Sequence, residues 1–182
     1  FGLGRREALW AAGALSRGGS PARTAPWRAD RLPGTTPGTT APELPAMTPI
    51  EETIADLWAT GTSGRHPIAH VRALLDERDV IPLASLKDVP GETNVLVAGV
   101  VTHRQRPGTA GGVIFFNLED ETGMANVVCR PQVWERYRTM AFQAQAMLVH
   151  GRLERHDGAM NLVATRLRRL PVTTMSRSRD FR

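Results

Sequence analysis

The sequence predicts a mainly-β fold with accessory helices: a closed barrel of five short strands carrying one helix between its third and fourth strands. A small two-helix cap precedes the barrel, and a disordered linker precedes the cap. Three observations carry this expectation. Five apolar runs of strand period lie between Asn94 and Leu170. A run of helical period, Gln132 to Phe142, separates the third from the fourth. The signals Asp120-Glu121-Thr122-Gly123 and Asp157-Gly158 turn strand two into three and strand four into five.

The elements follow in chain order. Residues 1–15 hold a helical pattern, Arg5-Arg6-Glu7-Ala8-Leu9-Trp10-Ala11-Ala12, which Gly13 is expected to end. So short a helix is marginal alone and reads as the end of a larger helical segment. Residues 16–45 shift to Pro, Gly, Thr, Ser and Arg, a disordered linker with too little apolar surface to offset chain entropy. Trp27 and Leu32 within it read as incidental apolar residues. Residues 46–91 read as the two-helix cap. Thr48 is the expected N-cap, Pro49 the first helical residue and Glu51 the closing acid of a capping box. Ile50, Ile54, Leu57 and Trp58 then share a face. After Gly61, Arg65-His66-Pro67 opens the second helix, with His66 as its cap and Ile68, Val71, Leu74 and Leu75 as its apolar stripe; Ile81-Pro82 stops it and Ser85 to Gly91 is a connector.

Residues 92–170 are the β-module. Strand one is Asn94 to His103, with Gly99 marking a bulge or bend. The loop Arg104 to Gly112 leads to strand two, Val113 to Glu119, and strand three is Met124 to Arg130. Strands four and five are Ala146 to His156 and Ala159 to Leu170. Five strands with a helix between the third and fourth is the order of an OB-fold barrel, whose second and third strands and connecting loops bind oligonucleotides. Residues 171–182 read as a disordered basic tail.

Composition points the same way. The chain has 182 residues, with 23 basic against 18 acidic and a net charge of +5. Residues 46–91 are acidic and residues 92–182 basic, so the β-module is the part suited to a polyanion. Cys129 is the only cysteine, which excludes an intrachain disulfide and a cysteine-based zinc site and fits a cytoplasmic protein. No apolar run is long enough to span a bilayer. The chain begins at Phe1 rather than Met, as expected of a piece of a longer reading frame.

A catalytic reading finds little support. Glu119, Asp120 and Glu121 alternate faces and are better used as turn residues. His66, His70, His103, His150 and His156 have no metal-site spacing, and neither a phosphate loop nor a nucleophile elbow is present. The expectation is no catalytic residue, no metal site and no cofactor in this chain. Binding fares better. His103, Arg104, Gln105 and Arg106 line the first loop, where arginine suits phosphate contact and base stacking. Parity along strand two places Phe115 outside with Asn117 and Phe116 inside with Ile114 and Leu118. Phe115, Asn117, Asn126 and Arg130 complete the candidate nucleic-acid-binding set.

The wording of two stretches is familiar. Val97-Ala98-Gly99-Val100-Val101-Thr102-His103-Arg104-Gln105-Arg106-Pro107 and Phe116-Asn117-Leu118-Glu119-Asp120-Glu121-Thr122-Gly123 closely resemble the C-terminal OB domain of bacterial C-family DNA polymerases, the DNA polymerase III alpha-subunit type. Phe1 to Trp10 is similar to the end of the helix-hairpin-helix region of that family, and both pieces look most like its error-prone branch, associated with lesion bypass. The resemblance implies a parent that synthesises DNA on a template with two Mg ions held by palm-domain aspartates. Those aspartates lie outside this chain, so it implies no catalytic residue here. It implies an OB module near the single-stranded template, with Arg104, Gln105 and Arg106 as contacts, and a parent that meets a sliding clamp or an accessory lesion-bypass subunit. Two other readings stay open: a tRNA-binding OB module of the aminoacyl-tRNA-synthetase sort, and a protein-docking module for a clamp or polymerase subunit.

Overall fold

The computed structural model describes residues 4–16, 43, 45–156, 158–172 and 179–180. The chain divides into two compact units, Phe1–Thr48 and Pro49–Arg182. In the first, helix α1 (Arg5–Ser16) starts where the Glu7 carboxylate accepts from the Gly4 backbone N–H at 2.8 Å, and Arg6 donates to Pro45 O at 2.8 Å. The helix runs through Gly13 instead of ending there. A glycine inside a helix costs about 1 kcal/mol, too little to stop a run whose neighbours Ala11, Ala12 and Ala14 are the best helix formers. Most of the expected linker, Trp27 and Leu32 included, lies outside the described residues.

The second unit opens with helix α2 (Pro49–Thr60), with Pro49 at its first position as expected. Its buried residue is Thr53, whose Oγ1 lies 2.8 Å from His70 Nε2. Trp58, expected on the packed face, is instead 73% exposed. The main neighbour of α2 is a single turn, and one turn cannot cover a whole amphipathic face.

The expected second helix is split into a 3₁₀ turn (Pro67–His70) and helix α3 (Arg72–Asp76). Val71, at φ −115° and ψ 6°, breaks the helical phase between them. Ile68 and Leu75 are buried as the apolar stripe requires, whereas Leu74, expected in the same stripe, is exposed. His66 caps the turn: its Nδ1 accepts from Ile68 N at 3.2 Å. Burial lowers the His66 pKa below its ordinary value, against the opposing pull of Glu119, Glu121 and Asp120. Only the neutral ring has a free acceptor for the cap, so this stability is complete above the unfolded pKa of about 6.5 and is lost as pH falls through the depressed folded value. In His66→Asn, which keeps an acceptor that does not titrate, melting temperature measured from pH 7 to 5 is expected to fall less steeply than in the parent chain.

A second 3₁₀ turn (Leu83–Asp88) occupies much of the expected connector and buries Leu83 and Leu86. The barrel follows: β1 (Asn94–Gln105), β2 (Ile114–Glu119), β3 (Met124–Cys129), helix α4 (Pro131–Gln143), β4 (Ala146–His156) and β5 (Ala159–Arg169). β1 pairs antiparallel with β2 and β4, β2 with β3, and β4 with β5, and a parallel pairing of β3 with β5 closes the ring. A two-residue strand β6 (Arg179–Asp180), within the expected tail, lies parallel to His103 and Arg104.

Inside, Val97, Val101, Phe116, Leu118, Val127, Met147, Val149, Leu153, Leu162 and Leu167 form the core. One end is plugged by α4, which brings Ala141 and Trp134; the Trp134 and Phe116 ring centroids are 6.1 Å apart. A second cluster covers the outside of β1 and β4, where Ile68, Leu75 and Val80 pack on Ala98, Val100, Ala146, Leu170 and Val172. The middle of β1 is therefore buried on both faces, and its continuous apolar run Val95 to Val101 is the sequence form of that burial. Gly99 lies in this stretch because a Cβ there would sit 2.9 Å from Leu118 Cβ. The bulge itself falls slightly later, between Val101 and His103.

Candidate nucleic-acid interface

The covered outside of β1 and β4 leaves the outer faces of β2, β3 and the start of β5 as open barrel wall. Alternation decides which residues stand there. Phe116 is fully buried while Phe115 is only half-buried, so the parity read from the sequence is correct. On β3, Ala125, Val127 and Cys129 turn inward and Met124, Asn126 and Val128 outward. Burial in that inner row pushes the Cys129 thiol up to about 11, which makes it inert at neutral pH.

Register then sets which outward residues are neighbours. His103 pairs with Asn117 and Asn117 with Asn126; one step along, Gln105 pairs with Phe115 and Phe115 with Val128. Five of the eight candidates, His103, Gln105, Phe115, Asn117 and Asn126, thus share one patch. Arg106 follows Gln105 and Arg130 follows Cys129, the partner of Ile114, so both exposed arginines stand at the same end of β2, one on each side. Arg130 lies 3.6 Å from Glu154; among the described residues Arg106 has no ion-pair partner.

Arg104 is the exception. It is 8% exposed and points inward with its partner Phe116, donating from Nε to Ala141 O at 3.1 Å and from Nη2 to Ala144 O. These carbonyls belong to the last turn of α4 and its C-cap, where helix geometry leaves acceptors without partners and a cation is favoured. β1 runs two residues beyond its expected end, and that extension carries Arg104 from the loop into the wall. Its guanidinium is committed to the fold.

The acidic turn is likewise a structural device, as its Thr-Gly ending indicated. Asp120 is 3% exposed; its Oδ1 accepts from Thr122 N, Thr122 Oγ1 and Gly123 N at 2.7, 2.6 and 3.0 Å. Its Oδ2 accepts from Leu83 N at 2.9 Å and Arg72 Nη2 at 3.0 Å. Glu121 takes Arg72 Nε, and Thr122 Oγ1 accepts from Ala84 N at 3.0 Å. Among the described residues no group of three His, Cys, Asp or Glu side chains is placed to hold a metal ion. No described helix is long and apolar enough to cross a membrane.

Two features were missed by sequence reasoning. Arg155 on β4 donates from Nη2 to the carbonyls of Leu86, Lys87 and Val89 at 3.1, 2.6 and 2.9 Å. Asn161 on β5 stands beside Asn126 through the parallel β3–β5 pairing. That pairing joins strands separated by α4 and β4, and no local pattern signals it.

A closed five-stranded barrel with a helix between β3 and β4 is the architecture of an OB-fold, and residues 95–170 match a family model described as an OB-fold nucleic acid binding domain. By sequence the whole chain is similar to a segment of proteins described as error-prone DNA polymerases. It is 51% identical to the error-prone DNA polymerase of Mycolicibacterium paratuberculosis over 100% of this chain and 16% of that protein. Against the one from Nocardia farcinica it is 52% identical over 98% of this chain and 15% of the relative. The chain thus spans about one sixth of the length of these relatives. Among solved structures, asparaginyl-tRNA synthetase from Pyrococcus horikoshii is similar at a TM-score of 0.44 and 19% identity, over 52% of this chain and 23% of that one.

Proposed function

We propose that this chain is the single-stranded DNA-gripping module of an error-prone DNA polymerase. In this reading the parent performs template-directed, Mg-dependent DNA synthesis across lesions during DNA repair in the cytoplasm. The module holds the template strand on the outer wall of β2 and β3. The observation that carries the reading is the patch of Phe115, Asn117, Asn126, His103 and Gln105 with Arg106 and Arg130 at one end. An aromatic face for stacking beside cations for phosphate is the arrangement that grips single strands. The synthetic chemistry belongs to the rest of the parent, which would also meet a sliding clamp or an accessory polymerase subunit.

Fluorescence anisotropy with a labelled oligodeoxynucleotide tests this. Affinity is expected to fall steeply with salt, and Arg106→Ala and Arg130→Ala are each expected to reduce the logarithmic salt slope by about one phosphate contact. Salt-independent affinity, or slopes untouched by both substitutions, would count against this face. The matched family model is also compatible with RNA, so a preference for folded tRNA over single-stranded DNA would favour the tRNA-binding reading.

A further inference from the structure

Asparagine is among the residues least suited to a strand, and it is well tolerated only where something other than sheet stability selects it. On this barrel wall three asparagines stand side by side on three consecutive strands. Asn117 on β2 pairs with Asn126 on β3, and Asn126 with Asn161 on β5. Their inward neighbours Phe116, Val127 and Leu162 are all core residues, so the three carboxamides share the outer face. Asn126 is exposed and the other two are half-buried. Among the described residues none of the three side chains has a hydrogen-bond partner. With strands about 4.8 Å apart, the row is about 10 Å long.

The neighbouring row is of opposite character. Phe115 pairs with Val128 and Val128 with Val163, an apolar strip parallel to the asparagines and one residue pair away. His103 begins the polar row beside Asn117, and Glu154, the partner of Asn161 and of the Arg130 ion pair, ends it. A carboxamide offers a donor and an acceptor side by side, which is the complement of a base edge and a poor match to a phosphate, which only accepts.

We infer that Asn117, Asn126 and Asn161 form a row that hydrogen-bonds the edges of nucleobases in a single strand lying across β2, β3 and β5, while the half-buried Phe115 and Val128 meet the base faces, with the buried Val163 backing them. This deepens the nucleic-acid reading above and rests on it. The wall then grips bases as well as backbone, with Asn161 as a binding residue outside the second and third strands. Because each carboxamide has both polarities, the row recognises the presence of a base more than its identity.

The test uses the full chain with two labelled strands of equal length, one bearing bases and one made of abasic residues. The parent chain is expected to bind the base-bearing strand more tightly. The triple substitution Asn117→Ala, Asn126→Ala and Asn161→Ala is expected to lose about tenfold in affinity for that strand, with abasic binding and the salt slope unchanged. Asn126→Ala alone, at the exposed position where the fold is least touched, is expected to lose part of the same discrimination. Equal losses on both strands, or no loss on either, overturn the inference while leaving the nucleic-acid reading standing. Failure of the parent chain to bind either strand overturns both.

Discussion

Asp120→Ala is expected to lower the unfolding free energy of the barrel by about 3–5 kcal/mol, the cost of removing one partner from a buried charged pair. The substitution deprives Arg72 Nη2, Leu83 N, Thr122 N, Thr122 Oγ1 and Gly123 N of their shared acceptor at once. Leu83 is itself buried, so its N–H has no ready replacement in water. Urea titration followed by Trp fluorescence measures the loss. Asp120→Asn, which keeps one acceptor oxygen and removes the charge, should fall between the two. Glu121→Ala removes the more exposed member of the same cluster and should cost about 1 kcal/mol or less. Equal effects of the Asp120 and Glu121 substitutions would contradict the role given to Asp120.

Arg104→Ala is expected to cost about 2–4 kcal/mol through the carbonyls of Ala141 and Ala144, which lose a charged donor in a buried setting. The informative comparison is with Arg106, two residues away and exposed. Arg104→Ala should lower the melting temperature and leave oligonucleotide affinity of the folded protein near that of the parent. Arg106→Ala should do the reverse. A melting temperature unaffected by Arg104→Ala would overturn the structural role of this arginine.

These two sites also show where reading the sequence succeeds. The five strands, the helix between the third and fourth, and the inward Phe116 were legible because each is written in a local period of two or of 3.6 residues. Asp120 and Glu121 were legible as a turn because Thr122-Gly123 follows them, whereas Glu119 closes β2. What was not legible is where polar side chains go after the strands are assembled. Arg104 and Arg106 look equivalent in the sequence; only the extension of β1 opposite Phe115 and Phe116 separates them. Asn126 was legible as a candidate binding residue, but its neighbour Asn161 is 35 positions away by number and joined through the one parallel pairing in the closed ring. Trp58 was placed on a packed face by helical spacing alone, which gives direction on the helix but no information on what stands opposite.

The tie between the acidic turn and the helical segment has a consequence for what counts as the inherited unit. The family model recognises residues 95–170, yet Asp120 and Thr122 inside that span hold Arg72, Leu83 and Ala84 outside it, and Arg155 holds Leu86, Lys87 and Val89. A gene segment that carried the recognisable barrel alone to a new protein would arrive with Ala98, Val100 and Leu170 bare and with Asp120 short of two of its donors. Recombination boundaries that preserve this module should therefore fall before Pro67, well upstream of where its recognisable sequence begins.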